Sequence, residues 1–408
     1  MSVTRRDLLK AGLGGAGLVC LGCGAPEFLM RSAGAATKRD ERDTVLVMLQ
    51  LSGGNDGLNT VVPYGDDEYY RNRPTIAMAA RDVHKIDSHV GFHPRMGAML
   101  RLYKEGQLGI VRGVGYANND RDHERGMEIW HTADPGNPNR QTGWLGRAVD
   151  NAGSKSGVDA QAVFVGPIAR PFALNAESAI VPSVDLLEKL MIEREAEGSR
   201  RRKVRAGDNE LLDFVRRSSL RASENSKRIK AVAETSANTS EYPSLTLAGH
   251  LRTVAQLIRA DVGVRIIMVE IGGGGIGGFD NHANQRGNHC ALLEQLSESI
   301  AAFVDDLKRD KLLDRVLLMT FSEFGRTLKE NGRRGTGHGA AAPMLLVGGK
   351  VKGGLIGPQP SLTDLDNGAL RFHTDFRRLY AGVLDRWLGL DSKTVLGRQY
   401  EALDILNA

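Results

Sequence analysis

Predominantly apolar runs of strand length recur along the chain, and amphipathic segments separate them. The first run is TVLVMLQL at 44–51, and later runs are VRIIMVEI at 264–271 and RVLLMTF at 315–321. Apolar residues on both faces of a strand are typical of a strand buried inside a parallel sheet. Between the last two runs, the segment 291–307 repeats its apolar residues at helical spacing. This alternation predicts an α/β fold with a largely parallel central sheet.

The other predicted elements follow the same alternation. They are strands over 108–114 and 344–347 and helices over 94–105, 245–260 and 376–388. The segment 185–240 departs from the pattern, because it is long, polar and dense in charge, with Arg200-Arg201-Arg202-Lys203 near its centre. A basic run of this kind is usually a solvated helix face. We therefore expect a charged helical insertion there rather than a surface for nucleic acid or membrane.

The first residues follow the order of a twin-arginine export signal. Arg5 and Arg6 precede a weakly apolar run over 11–23, and the small-residue stretch 33–36 comes after it. Glycines dilute the apolar run, which is shorter than the roughly 18 apolar residues that span a bilayer. We expect the signal, residues 1–36, to be removed after export through the twin-arginine translocase. The mature chain, without a transmembrane span, is then expected in the periplasm or outside the cell.

The cysteines raise a second possibility for the signal. Cys20 and Cys23 both lie inside it, and Leu21-Gly22-Cys23 is similar to a lipoprotein cleavage box, so anchoring through a lipid on Cys23 remains open. Cleavage near Ala36 is the interpretation that we prefer. It leaves Cys290 as the single cysteine of the mature chain, which excludes an intramolecular disulfide.

Charge and length bound the rest of the chain. The formal net charge is +5, and residues 1–36 contribute two of it, so the mature chain carries about +3, which is too small to indicate a nucleic-acid partner. Residues 37–408 exceed the roughly 250–300 residues at which single cores stop growing, so one large domain with an insertion and two domains both remain open. We interpret 37–408 as one α/β domain with a helical insertion at about 185–240.

Acidic and histidine side chains follow the predicted strands. They are Asp56 after the first strand, His123 after the second, Asp280 and His282 after the third, Glu323 after the fourth and His338 in the loop beyond it. Ligands of open α/β sheets bind beyond the carboxyl ends of the strands, so we expect these side chains to share one site. Mixed carboxylate and imidazole ligands suit zinc, manganese or iron, and calcium or magnesium remains open where carboxylates dominate. The pattern predicts a divalent metal site.

Two parts of this set also have a plainer interpretation. Asp56 in Asn55-Asp56-Gly57 is typical of a turn residue as well. Asp280 and His282 are two residues apart, so in extended chain both side chains point to the same side, which favours a shared site over a helix cap.

Glu323 and His123 have alternatives too. Glu323 is placed to pair with Arg326, and His123 stands in a charged stretch that an exposed cluster would explain equally. A nucleophile is harder to find, because the chain has no Gly-x-Ser-x-Gly elbow with the expected context. Serine-based acyl transfer is therefore not favoured.

Several longer motifs resemble a known bacterial family, the domain of unknown function 1501, which is grouped with the alkaline phosphatase and sulfatase superfamily. The resemblance spans about Val45 to Leu388 and is carried by LQLSGGNDGLNTVVPY, TGWLGR, GFDNHANQ, LMTFSEFGRTLKENG and GTGHGAAAPMLLVGGKVKGGLIG. It implies an alkaline phosphatase-like central sheet with helices on both faces and a metal site at the strand ends. By resemblance, the metal ligands are Asp56, Asp280, His282 and His338.

The chain departs from the family pattern at two places. Glu323 stands where relatives commonly have an Asp-His pair, and Phe324 replaces the histidine. Where the family often has Ser-Arg-Ser-His, this chain has Asp120-Arg121-Asp122-His123, so a serine nucleophile is lost if the family uses one there. An aspartate such as Asp122 would instead bind metal or activate water.

The leading hypothesis is an exported, metal-dependent hydrolase of phosphate or sulfate esters of small molecules or glycans. A bound metal lowers the pKa of water towards about 7 and so supplies a nucleophile without serine. Asp122, His123 and Glu323 would then act as ligand, acid or base. A non-catalytic metal- or glycan-binding protein with a degenerate site is the alternative from another class. A redox enzyme is the third, although no cysteine cluster or haem motif favours it.

Overall fold

The computed structural model describes residues 44–137, 139–156, 162–179, 181–185, 241–261, 263–272 and 278–407. The predicted export signal at 1–36, the glycine-rich residues 273–277 and nearly all of the predicted insertion at 185–240 lie outside the described residues. In the part that is described, no helix is both long and apolar enough to cross a membrane.

Strands alternate with helices along the described chain. The strands are β1 (Val45–Leu51), β2 (Val61–Val62), β3 (His84–Lys85), β4 (Gly91–Phe92), β5 (Leu108–Gly115), β6 (Ala162–Val165), β7 (Ser183–Val184), β8 (Ile266–Ile271), β9 (Val316–Phe321), β10 (Arg326–Glu330), β11 (Thr336–His338), β12 (Ala342–Val347), β13 (Gly354–Ile356), β14 (Leu365–Asp366), β15 (Ala369–Leu370) and β16 (Thr374–Asp375). The α-helices are α1 (Gly57–Thr60), α2 (Asp67–Asn72), α3 (Gly97–Lys104), α4 (His123–Thr132), α5 (Trp144–Ser156), α6 (Thr246–Arg259), α7 (Gln285–Arg309), α8 (Phe376–Gly382) and α9 (Ser392–Leu396).

A large central sheet organises the described residues. Its order is β13-β5-β12-β9-β1-β8-β6-β7, with β16 also paired to β5. β1 is central and runs parallel to both neighbours, with Gln50 opposite Glu270 of β8 and Phe321 of β9. β12 is antiparallel to both β5 and β9. The predicted largely parallel sheet is therefore confirmed, and the reversed strand has a consequence for the site described below.

Because side chains alternate along a strand, β1 contributes to two cores at once. Val47 and Leu49 pack on one face with α6 and α7. Leu46 and Met48 pack on the other face with α4, α5 and α8. Each fully buried side chain of this size contributes roughly 1.5–3 kcal/mol. Burial on both faces explains why the strand is apolar nearly throughout, and it confirms helices on both faces of the sheet.

The predicted elements match the observed ones, and the differences have local causes. The helix α7 begins at Gln285, six residues before the predicted start at 291, and in these added turns the buried residues are the polar Gln285 and His289, which an apolar pattern does not mark. The predicted helix over 376–388 becomes α8 followed by a turn of π-helix at Val383–Leu388. Two small sheets, β2-β4-β3 and β11-β10-β15-β14, flank the large one and were not predicted.

Candidate metal centre

Three histidines and one aspartate meet at one edge of the central sheet. They are His123, Asp280, His282 and His338, and one ligand atom from each lies within 4.8 Å of the others. His123 is the first residue of α4, Asp280 and His282 follow β8, and His338 ends β11. His338 stands just before β12, and because β12 runs against its neighbours, its start lies at the edge where β1, β8 and β9 end. The reversed strand thereby brings His338 to the others.

The ring nitrogens of the three histidines face the same carboxylate oxygen. Asp280 Oδ1 lies 3.0 Å from His282 Nε2, 3.4 Å from His338 Nε2 and 3.5 Å from His123 Nε2. The Nε2 atoms of His282 and His338 are 2.9 Å apart. Two neutral rings this close share at most one proton between the facing nitrogens, so the other nitrogen presents a lone pair.

Glu323 holds the ring of His123 in place. Its carboxylate is almost completely buried, and Oε1 lies 2.9 Å from His123 Nδ1. The same oxygen accepts a hydrogen bond from the backbone N–H of Gly53 at 2.8 Å. The hydrogen bond to Glu323 raises the pKa of His123 above its ordinary value. Glu323 therefore orients His123 with Nε2 towards the cluster and favours its protonated form in the absence of metal.

The ring of His338 is fixed by the backbone. His338 Nδ1 lies 2.7 Å from the carbonyl oxygen of Arg121, and a carbonyl only accepts hydrogen bonds, so Nδ1 carries the proton. In the neutral ring the second nitrogen, Nε2, then holds the lone pair, which is the form that binds a metal. Burial lowers the pKa of His282, which favours the neutral ring.

Arg326 contacts Asp280 from below the cluster. Its side chain is completely buried, and Nη2 donates a hydrogen bond to Asp280 Oδ1 at 2.6 Å. The guanidinium also donates to the carbonyl oxygens of Gly53, Gly54 and Phe279, so it ties the turn after β1 to the loop after β8. Burial raises the pKa of Asp280, but the hydrogen bond and charge of Arg326, together with His282 and His123, leave the pKa below its usual value. Asp280 is thus held ionised.

Glycine is required where these two loops meet. Gly53 has a φ of +111°, and a Cβ there would stand 2.5 Å from the backbone nitrogen of Asp280. Any side chain at position 53 would therefore clash with the backbone of the Asp280 loop.

Phe324 forms the apolar floor of the cluster. Its buried ring stacks on His338 with centroids 4.5 Å apart and an interplanar angle of 28°. The centroid of the His123 ring lies 4.8 Å from it. These contacts restrict the rotation of both imidazoles. Phe324 has no metal-binding atom, so it adds no ligand.

The donor set fits a single transition-metal ion. Ligand atoms about 2.0–2.2 Å from a tetrahedral zinc ion stand about 3.3–3.6 Å from one another. The separations among Asp280 Oδ1, His282 Nε2 and His338 Nε2 are 2.9, 3.0 and 3.4 Å, which lie close to these values. Three imidazoles and a carboxylate suit zinc, manganese or iron better than calcium or magnesium, which prefer oxygen.

Asp56 lies apart from this cluster. It is buried and forms an ion pair with Arg73, with Nη1 at 2.6 Å from Oδ2 and Nη2 at 3.0 Å from Oδ1. Oδ1 also caps α1 by accepting from the N–H of Leu58, and Gln285 donates to Oδ2. Burial raises the pKa of Asp56, but the charge and hydrogen bonds of Arg73, together with His289 and Gln285, leave it below its usual value. Each carboxylate oxygen already has two partners, as the turn interpretation would require.

Asp122 and Glu323, which the sequence also placed at the site, supply no ligand atom to the cluster. Asp122 is exposed, and its carboxylate accepts from the N–H of Arg125 at 3.0 Å as the N-cap of α4. It stands beside His123 in the chain but contributes no atom to the cluster. The alternative that Glu323 pairs with Arg326 is not what the structure shows, since the ion pair of Arg326 is with Asp280.

The sequence did not indicate two buried arginines. Arg73 lies 17 residues from Asp56 along the chain, and Arg326 lies 46 residues from Asp280. No local pattern marks a buried arginine. A count of charges around the expected site gives the only hint, because several carboxylates buried together require compensating cations.

Fold and site together define an α/β protein with a His₃Asp cluster at the carboxyl edge of its central sheet. The chain belongs to the family described as "Protein of unknown function (DUF1501)", which it matches over residues 43–398. The resemblance found in the sequence is therefore confirmed. No curated protein matches the chain.

Solved structures resemble the chain distantly. One is a protein in the alkaline phosphatase superfamily from Vibrio parahaemolyticus, with 11% identity, 92% of this chain and 81% of that chain covered, and a TM-score of 0.39. A second is the PsFucS1 sulfatase from Pseudoalteromonas sp., with 11% identity, coverage of 93% and 74%, and a TM-score of 0.39. A third is the C-terminal periplasmic domain of EcEptC from Escherichia coli in complex with Zn, with 10% identity, coverage of 76% and 75%, and a TM-score of 0.38.

Proposed function

We propose that this protein is a metal-dependent hydrolase of phosphate or sulfate esters of small molecules or glycans, exported by the twin-arginine pathway to act outside the cytoplasm. The observation that carries the proposal is the convergence of three Nε2 atoms on Asp280 Oδ1. Arrays of facing imidazole nitrogens around an ionised carboxylate are costly unless a cation compensates them. Arg326 supplies one positive charge, and a metal ion bound by the facing lone pairs would supply the remaining compensation.

Asp280, His282 and His338 are the proposed ligands. Three protein ligands leave a coordination position open, as catalytic rather than structural zinc sites do. When bound there, a divalent ion supplies Lewis-acid chemistry that polarises the ester and makes water a better nucleophile. Zinc, manganese or iron fits the donors best, with calcium or magnesium as the less suited alternatives.

His123 is the proposed general acid. Glu323 binds Nδ1 and raises the pKa of the ring, so a proton on Nε2 faces the cluster and is available to the departing alcohol oxygen. Asp122 supports this role by capping α4 and so placing His123 in the first turn of the helix. Glu323 acts through His123, and we assign it a positioning role. Asp56 stabilises the turn after β1 in this scheme through its pair with Arg73.

The first experiment is elemental analysis of the purified mature protein beside Asp280→Ala and His282→Ala. Asp364→Ala is a matched control, because Asp364 is exposed and its ion pair with exposed Arg371 contributes little to stability. We expect one equivalent of metal in the wild type and the control, and much less in the two cluster variants. Folded wild-type protein without metal would overturn the proposal.

Turnover decides between the proposal and its rival. We expect hydrolysis of an aryl phosphate or aryl sulfate that disappears with the metal. Bound metal with no turnover of either ester would favour a non-catalytic metal- or glycan-binding protein. Two features support that second candidate: Asp122 stands where the family often has serine, and Phe324 stands where relatives have a histidine.

A further inference from the structure

A cavity opens beside the metal centre. It has a volume of about 580 Å³ and runs along α4, and its wall includes both His123 and Glu323. Since His123 also belongs to the cluster, a group bound in this cavity lies next to the proposed reaction centre. The cavity is therefore placed to receive the part of a substrate that does not react.

The charges in the cavity wall are unevenly compensated. Glu124 is exposed in the first turn of α4, and no cation in the described part of the chain pairs with its carboxylate. Glu128, one turn further along, forms an ion pair with Arg125 at 2.6 Å.

The positive charge in the wall is already used. Arg140 pairs with Asp134 through Nε at 2.7 Å. Burial lowers the pKa of His131 to about 3, so this ring is neutral at physiological pH. The cavity thus presents one uncompensated carboxylate, that of Glu124, and no uncompensated cation among the described residues that line it.

The rest of the wall is neutral. Met127 and Phe172 contribute partly exposed apolar surface, and Gln141 contributes an amide that both donates and accepts hydrogen bonds. Apolar surface combined with a few polar groups is typical of sites for small organic ligands. An aryl or glycosyl group offers both an apolar face and polar atoms to such a wall.

We propose that this cavity binds the alcohol part of the ester when it is an uncharged aryl or glycosyl group, and that Glu124 disfavours alcohols carrying a further negative charge. The proposal rests on the proposed function, because it assigns the reacting ester to the adjacent metal centre. It adds a residue that determines specificity and excludes polyanionic substrates as the preferred class.

The test measures binding rather than turnover. The metal-loaded mature protein is titrated by calorimetry with phenylphosphonate and with 4-carboxyphenylphosphonate, which are not hydrolysed and differ by one carboxylate. A glycosylmethyl phosphonate serves as the third probe and distinguishes a glycosyl from an aryl preference. The variants are Glu124→Gln and Glu124→Lys, and Glu298→Lys on the exposed side of α7 is the control for a change in overall charge, since it does not line the cavity.

In the wild type we expect the carboxylated probe to bind more weakly than phenylphosphonate. Two charges about 8 Å apart change an affinity about twofold at the dielectric constant of water and about thirtyfold at the effective value of about 20 that is typical near a protein surface. The ratio of the two dissociation constants should fall by a factor between these two values in Glu124→Gln, fall further in Glu124→Lys and stay unchanged in Glu298→Lys.

Equal ratios in the wild type and both Glu124 variants would overturn the inference, as would the absence of binding by all three probes. The failure of the proposed function looks different. Discrimination between the probes without turnover of any ester would leave the cavity assignment standing and remove only the hydrolase. Turnover of an ester without discrimination between the probes would leave the hydrolase standing and remove the assignment of the cavity.

Discussion

Replacing Asp56 tests whether this residue stabilises the fold or binds metal. The carboxylate is 2% exposed and Arg73 is completely buried, and two hydrogen bonds join them at 2.6 and 3.0 Å. Asp56→Ala removes the one carboxylate that pairs with Arg73 in the described part of the chain, and it also removes the cap of α1 at the N–H of Leu58. Asp56→Asn keeps the shape and one acceptor but removes the charge.

The magnitude follows from burial. Removing one partner of a buried ion pair costs about 3–5 kcal/mol, because the other charge remains without compensation. Loss of the cap alone costs about 1 kcal/mol, and the two effects are not additive because they involve the same carboxylate. Arg73 keeps the carbonyl oxygens of Leu328 and Thr327 at 2.9 Å, which limits the loss. We expect the free energy of unfolding to fall by about 3–5 kcal/mol in Asp56→Ala.

The assay is urea unfolding of the metal-free protein, combined with metal content per folded molecule. If Asp56 stabilises the fold and binds no metal, we expect a large loss of stability and an unchanged metal stoichiometry in the fraction that folds. The resemblance to the family implies the opposite, that Asp56 is a ligand. A variant with wild-type stability and no metal would refute our interpretation of this ion pair. Because the folded pKa of Asp56 is lowered, the stabilisation is present above about pH 4 and is lost as the pH falls through the folded value.

Three further predictions concern the surroundings of the cluster. Glu323→Gln should lower the pKa of His123 and so shift the pH profile of turnover to lower pH, with the metal content unchanged; an unshifted profile would contradict the positioning role of Glu323. Phe324→Ala should cost about 3–5 kcal/mol in urea unfolding, since it empties a buried site under His338; a cost below about 1 kcal/mol would contradict the packing. The pKa of His131 is about 3 folded and about 6.5 unfolded, so the unfolded chain binds the extra proton between these values and stability should rise with pH across that window. His131→Gln should flatten this dependence, and an unchanged slope would contradict it.

The sequence predicted the main strands and the residues that follow them. β1, β8 and β9 are recognisable because a strand buried on both faces must be apolar almost throughout. Asp280 and His282 were expected to share a site from their spacing, and their side chains do lie 3.0 Å apart. These features depend on local pattern and on the general rule for strand ends, so they needed no knowledge of the tertiary structure.

The division of roles among the charged residues depended on the tertiary structure. Asp56 and Asp280 both follow central strands, yet Asp56 pairs with Arg73 inside the protein and Asp280 faces three histidines at the sheet edge. His338 joins them only because the strand after it runs against its neighbours. Strand direction and the partner of a buried charge are set by contacts between residues far apart in the chain. The sequence by itself determined which chemical groups were available near the sheet edge, and packing decided which of them met.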